Sequence, residues 1–463
     1  MAGEASNGTA DRRLWPWLAA IALIGFALRI AAASGDYWLD EAWSALFARE
    51  AGTPGRVFFA INHDNNHYLN TLWLQLAGWG SPPMLGRTLS ILCGTAGIVV
   101  AGLIGARRNI RVACVTALLF AVSPILVTYG SEARGYAPML LALLSAIWIV
   151  DRELHGAPLR HAPLWLGIVT LTGMLAHASL LFGIAALTGW VAVDAKRHRD
   201  WRPALAKALR LMGRAILAVV AVIALALVSA MASSDGFRIG SLASFSFTAF
   251  VDALAYMVAF TLGWPLPVPL WLAALLPLSL AAIRHPALHD RLPFLLLAII
   301  GLPLVVLLFR PGNSAFPRYY LLSAIALLLL AAEPLAVRRW FAMIPLYLVL
   351  TGCLILDLQI IDNRRADPGV AIDAMAERAP GGAAVLIDNA RDSAVLESAA
   401  ATHGYPLRFA AGCADADFLF AEGDPGKRTS AIPRLCGANF RSISGGQVYG
   451  LSGMDWRLYE RAR

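Results

Sequence analysis

The chain has 463 residues, of which 58% are hydrophobic and 15% charged, against roughly 25% charged in an average soluble domain. That balance excludes an ordinary soluble globular protein and points to a polytopic membrane protein. The net charge of +8 would suggest a nucleic-acid partner in a soluble chain. Here no such motif accompanies it, and the basic residues cluster in short loops, so nucleic acid is not expected as a partner.

Apolar runs of spanning length predict an all-α bundle of about eleven transmembrane helices. In chain order they cover 14–33, 83–105, 112–129, 136–150, 163–177, 179–194, 208–231, 265–283, 292–309, 319–335 and 340–356. The first follows Arg12 and Arg13 as a secretory signal would. Its length of about 20 residues exceeds the roughly 7–15 of a cleaved hydrophobic region, so it reads as a retained span. A further helix at 247–262, followed by Pro265, Pro267 and Pro269, reads as lying on the membrane surface.

Orientation follows from charge. Arg107, Arg108 and Arg111, then Arg152 with Arg160, Lys196 to Lys207, Arg284 with Arg291, and Arg338 with Arg339 fall in alternate loops. Those loops and the N-terminus are assigned to the cytoplasm, and an odd number of spans puts the tail outside. The division is therefore a membrane module over 1–356 and a tail over 357–463. In the tail, "AAVLIDNARDSAVLESAAATHGY" reads as a strand followed by a helix and "ADFLFAEG" as another strand, predicting a small extracytoplasmic α/β domain. Cys413 and Cys436 in this domain are a candidate disulfide, whereas Cys93, Cys114 and Cys353 lie in apolar runs.

On the outer face, residues 34–82 form a long loop, a length more often functional than idle. It holds "DYWLDEAWS" and "INHDNNHYLN". Two outer turns add "YGSEARGYAP" and "RPGNSAFPRYY". They place Arg134, Arg310 and Arg318 where the positive-inside tendency would not, and Arg87 lies near the same end of its span. Arginines gathered there suggest an anionic partner, because the guanidinium fork gives phosphate two parallel charge-assisted hydrogen bonds. Acids, aromatics and arginines together are what sugar transfer from a lipid-phosphate donor requires. A carboxylate takes the acceptor's proton, arginine stabilises the leaving phosphate, and rings pack against sugar or prenyl faces.

At these residues the chain resembles membrane glycosyltransferases of the GT-C class, most of all the bacterial branch related to protein O-mannosyltransferases and lipid A aminoarabinose transferase. "LDEAWS", "YGSEARGY" and "FPRYY" carry the likeness, in that order, over most of residues 10–356. The resemblance implies a polyprenyl-phosphate sugar donor, a glycolipid, glycan or protein acceptor, and inverting transfer on the periplasmic face of the inner membrane. It places the catalytic acid on Asp40 with Glu41 adjacent, and phosphate ligands on Arg134 and on Arg318 with Tyr319. Related proteins often carry a His-Pro-Pro-like run in the first loop, which "NHDNNHYLN" lacks.

The expected site is then Asp40 and Glu41 as acids, Arg134, Arg318, Tyr319 and Arg87 on the donor phosphate, and His63, His67, Tyr136 and Glu132 in substrate contacts. Consecutive helical side chains diverge, so Asp40 and Glu41 are not expected to meet the same proton, and Glu41 could instead hold an arginine or bind the acceptor. Glu132 could orient Arg134 or form a structural ion pair. Asp36 reads as solvated and His177 as a helix-end residue. His63 and His67 have a spacing that can bind metal on a helix, but no glutamate completes a zincin pattern, so neither metal nor cofactor is expected. A lipid-linked-sugar flippase is the competing class. It would carry midplane charges and matching halves, and neither is evident.

Overall fold

Backbone that crosses lipid must satisfy its own hydrogen bonds, and in a chain of long apolar runs only helices do so. The computed structural model describes residues 4–462 apart from 199, 235, 241–242, 265–288, 338–339 and 424–439. Its helices are α1 (Glu4–Ala32), α2 (Leu39–Ala51), α3 (Pro54–Phe59), α4 (Tyr68–Ala77), α5 (Pro83–Ala106), α6 (Ile110–Val122), α7 (Pro124–Tyr129), α8 (Tyr136–Leu154), α9 (Ala162–Ala176), α10 (Leu180–His198), α11 (Trp201–Ala232) and α12 (Phe247–Leu262). There follow α13 (Leu292–Phe309, with a π turn at Leu297–Gly301), α14 (Leu321–Leu335) and α15 (Trp340–Asn363). Among the described residues, six helical stretches are long and apolar enough to cross a membrane: Arg13–Ala32, Pro83–Ala106, Trp201–Ala232, Leu292–Phe309, Pro317–Leu335 and Met343–Ala366.

Ten of the eleven expected spans fall on helices, and the run at 265–283 lies outside the described residues. The run at 112–129 is broken at Ser123–Pro124 into α6 and α7, where proline removes a helix donor. The stretch at 247–262 is a helix packed against the bundle. As α12 it buries Phe250, Met257 and Phe260, and Ser123 donates to the Thr261 carbonyl at 2.8 Å. Its closing Gly263 meets α15 so closely that a side chain there would come within 2.1 Å of the Cys353 nitrogen. The helix begun by Pro317 is central, with 83% of its apolar window buried.

The tail folds as expected into strands and helices: α16 (Gly369–Arg378), β1 (Ala383–Ile387), α17 (Ser393–His403), β2 (Leu407–Phe409), β3 (Phe418–Gly423), β4 (Phe440–Gly446) and β5 (Asp455–Arg461). The sheet order is β2-β1-β3-β5-β4, with β1 parallel to β2 and β3, and β5 antiparallel to β3 and β4. Cys413 is disulfide-bonded, and Cys436 lies outside the described residues.

This domain is joined to the loop at 34–82 by a common core. Tyr37, Ala42, Leu46 and Leu74 pack with Val395, Ala399, Phe418 and Trp456. Polar links reinforce it: Trp43 Nε1 donates to the Arg391 carbonyl at 3.1 Å, and His403 meets Asp36 at 2.8 Å. The junction after α15 is a turn of three successive left-handed residues, Arg364, Arg365 and Ala366, each costing about 1–2 kcal/mol in a non-glycine. The buried Arg365 side chain offsets that cost by donating to the Ala32 carbonyl at 2.6 Å and to Ser131 Oγ at 2.7 Å.

Candidate active site

Helix α2 sets the site. Its first turn carries Asp40 and Glu41, which complement the partial positive charge of a helix N-terminus, and Glu41 reaches back to the Trp38 N–H at 3.4 Å as a capping box does. Adjacent residues on a helix point about 100° apart, so the two acids serve different surroundings.

Glu41 faces inward and is fully buried. Its carboxylate takes Arg87 Nε at 2.9 Å and Nη2 at 2.6 Å, and the Ala133 N–H at 2.6 Å. Burial alone would raise the Glu41 pKa, but Arg87 holds it below the ordinary carboxylate value. Arg87, also fully buried, donates further to the carbonyls of Ala33, Gly35 and Asp36 at 2.8, 2.6 and 2.8 Å. The structure thus pairs Arg87 with Glu41 and does not bring it to Asp40.

Asp40 faces the two turns that carry Arg134 and Arg318. Its Oδ2 accepts from Arg134 Nη1 at 2.6 Å and lies 3.2 Å from Arg318 Nη1. Three segments nearly three hundred residues apart therefore meet at one oxygen atom. Arg134 is buried between the rings of Trp38 and Tyr136, 6.0 and 4.9 Å from its guanidinium carbon. Burial would lower its pKa, and Asp40 outweighs that and raises it. Arg318 lies over Phe316 at 4.2 Å and near Tyr319 at 5.7 Å. Both arginines keep a buried Nε–H without a partner. Such groups are uncommon inside folded proteins and mark unused donor capacity.

The turn carrying Arg134 has no secondary structure and is buried throughout, so its backbone must be satisfied from elsewhere. Five side chains do so, Arg365 among them by donating to the Ser131 carbonyl at 3.2 Å. Glu41 takes the Ala133 N–H, Asn70 donates to the Ala133 carbonyl at 2.7 Å, Ser90 donates to the Arg134 carbonyl at 3.0 Å, and His67 Nδ1 accepts the Gly135 N–H at 3.0 Å. Gly135 is obligatory, because a Cβ there would lie 1.8 Å from the Ala176 carbonyl oxygen.

His67 is buried with its ring 4.6 Å from that of His177 and 5.6 Å from Tyr136. Burial lowers the His67 pKa well below the ordinary histidine value, and nearby Arg134 adds to this, so its ring is neutral. His63 turns away toward Asp64 at 2.8 Å and Phe47 at 5.0 Å. The structure does not join His63 and His67. Among the described residues, no three acidic, histidine or cysteine side chains converge to hold a metal ion. Glu132 is buried 3.8 Å from Arg365, with both oxygens unpartnered, and burial raises its pKa to about 7. Asp36 is buried rather than solvated, with His403 against its carboxylate.

Two contributors escaped the sequence reading. Asn65 donates to the Asp40 carbonyl at 2.8 Å and accepts from Arg134 Nη2 at 2.7 Å, binding acid and cation into one unit. Arg365 braces the Ser131–Glu132 turn from the far end of the membrane module. Its signal was present, because an Arg-Arg pair after the last span violates the same charge bias that singled out Arg134 and Arg318.

No protein-family model matches the chain, and no curated protein does. Among solved structures, ArnT from Cupriavidus metallidurans in the apo state is similar, with a TM-score of 0.56 at 13% identity. The match covers 97% of this chain and 98% of that one, extending through membrane bundle and C-terminal domain alike. The chain therefore has the GT-C-type polytopic fold that its motifs implied, with a C-terminal α/β domain.

Proposed function

We propose that the chain is an inner-membrane glycosyltransferase that moves a sugar from a polyprenyl-phosphate donor to a glycolipid, glycan or protein acceptor on the periplasmic face. The observation that carries this reading is the convergence on Asp40 of two arginines with unused donors. A base and a phosphate clamp then lie within one hydrogen bond of each other.

In the proposed step Asp40 takes the acceptor hydroxyl proton as that oxygen bonds to the anomeric carbon. The bond from that carbon to the phosphate oxygen breaks on the opposite side, and polyprenyl phosphate leaves. Arg134 and Arg318 stabilise its developing charge, and Tyr319 and Tyr136 border it. Asn65 positions Arg134. Glu41, Arg87 and His67 hold the Arg134 turn and do not touch substrate, and Glu132 braces the same turn with Arg365. A small apolar crevice beside Tyr319 is lined by Leu143, Leu180, Phe182 and Leu302. The N-terminus is cytoplasmic and the α/β domain periplasmic in this reading.

Reconstitution tests it. Full-length protein in liposomes, given radiolabelled sugar on polyprenyl phosphate and a cell-envelope extract, should move label into the extract and release polyprenyl phosphate. Tight donor binding with no turnover would leave a binding or transport role instead.

A further inference from the structure

The turn between α9 and α10 brings His177 to the site. That turn abuts the Arg134 turn directly: a Cβ on Gly135 would lie 1.8 Å from the carbonyl oxygen of Ala176, the residue before His177. The His177 ring lies 4.6 Å from that of Tyr136 and 4.6 Å from that of His67. Tyr136 in turn lies 4.9 Å from the Arg134 guanidinium carbon. The neighbouring Ser179 lines the crevice beside Tyr319.

Hydrogen bonds fix the protonation of the ring. Nδ1 accepts the Ser179 N–H at 3.1 Å and lies 2.8 Å from the Ser179 hydroxyl. A backbone N–H can only donate, so Nδ1 carries no proton, and the ring is neutral with its proton on Nε2. Holding the start of α10 therefore uses Nδ1 alone. The backbone of His177 is satisfied without the ring, its N–H donating to the Gly173 carbonyl at 2.9 Å and its carbonyl accepting the Leu180 N–H at 3.2 Å. The Nε2–H has no partner among the described residues, and the half-buried ring leaves it open to the outside of the protein.

Position then selects the ligand. A prenyl chain has no atom that accepts a hydrogen bond. In the reading above the phosphate is taken by Arg134 and Arg318, and the acceptor hydroxyl by Asp40. Next to the phosphate along the donor comes the sugar, whose hydroxyl oxygens accept and whose apolar faces suit the rings of Tyr136 and His177.

We propose that His177 binds the transferred sugar of the donor, its Nε2–H donating to a hydroxyl oxygen. The assignment rests on the glycosyltransferase reading above, and the experiment separates the two. The probes are undecaprenyl phosphate and its esters with mannose, glucose and arabinose, titrated calorimetrically against full-length protein in detergent. His177→Phe keeps a ring against Tyr136 and His67. It should weaken binding of at least one ester by roughly 3–10-fold and leave affinity for the bare lipid unchanged. His177→Gln retains an amide N–H and should bind that ester within about twofold of the wild type. Failure of the wild type to bind any ester, unchanged affinity in folded His177→Phe, or an equal loss for the bare lipid overturns the assignment. A diazirine carried on the sugar decides the matter without a variant: it should label the α9–α10 turn of the wild type, and label confined to other segments overturns the assignment as well. A sugar-dependent loss in His177→Phe without any transfer by the wild type would sink the enzyme reading alone. Transfer with an affinity indifferent to His177 would sink this assignment alone.

Discussion

Replacing Glu41 tests whether the inward acid is a strut for the Arg134 turn. In Glu41→Gln the buried Arg87 guanidinium loses its one carboxylate partner among the described residues and keeps four backbone carbonyls. Breaking a fully buried ion pair from one side costs about 3–5 kcal/mol, because the remaining charge stays desolvated. The Ala133 N–H also loses a charged acceptor, a bond worth about 1.5–3 kcal/mol that is not additive with the first. The expected loss is therefore about 3–5 kcal/mol in Glu41→Gln. Glu41→Leu combined with Arg87→Met should recover at least about 2 kcal/mol of the summed single losses, since neither charge is then left alone. Reversible unfolding in mixed micelles of mild detergent and sodium dodecyl sulfate, followed by circular dichroism, reads both. A Glu41→Gln protein within about 0.5 kcal/mol of the wild type would refute the strut. So would simple additivity in the double variant.

Further expectations concern the outward acid's partners and the domain junction. Arg134→Ala and Arg318→Ala should each weaken donor binding by about 1.5–3 kcal/mol, roughly 10–150-fold, with lysine restoring only part because it lacks the bidentate fork; equilibrium binding of a polyprenyl-phosphate sugar checks this. Asn65→Ala should lower kcat/KM by about 1–3 kcal/mol, roughly 5–150-fold, by freeing Arg134 Nη2, and unchanged kinetics would remove Asn65 from the site. His403 lies between Asp36 at 2.8 Å and Asp373 at 3.0 Å. Burial lowers its pKa, but the carboxylates outweigh that and raise it above 6.5. Its stabilising contribution is then full below about 6.5 and is lost as pH rises through the raised folded value. Melting temperature should fall from pH 6 to pH 8.5, and His403→Gln should flatten that slope.

The spans were legible because burial in lipid writes itself along the chain as uninterrupted apolar runs, whatever the partner of each helix. The α/β tail was legible for a similar reason, since β1 and β3 are short apolar runs bounded by turn residues. The site was legible only as a set of residue types at one end of the bundle. Asp40, Arg134 and Arg318 do meet, but nothing one-dimensional separates an arginine facing that meeting point from one facing the core. Arg87 and Glu41 belong to the second kind and take each other as partners. Asn65 was hidden in a run of amides and histidines whose conformation no propensity fixes. The break between α6 and α7 was marked by Pro124, and the packing of α12 into the bundle by Gly263. Pro124 acts locally by lacking a donor, whereas Gly263 acts through a close contact with Cys353 that only the fold defines.

The account turns on a carboxylate that competes with phosphate for two guanidinium groups and serves as the base once phosphate is bound. Asp40→Asn, measured in the same liposomes for transfer and for binding of free polyprenyl phosphate, tests both halves together. Transfer should fall by about 10²–10⁴-fold, while polyprenyl phosphate binds as tightly as before or more tightly, because the arginines lose their internal anion. Transfer at the wild-type rate, or donor binding that collapses with the carboxylate, would contradict the account.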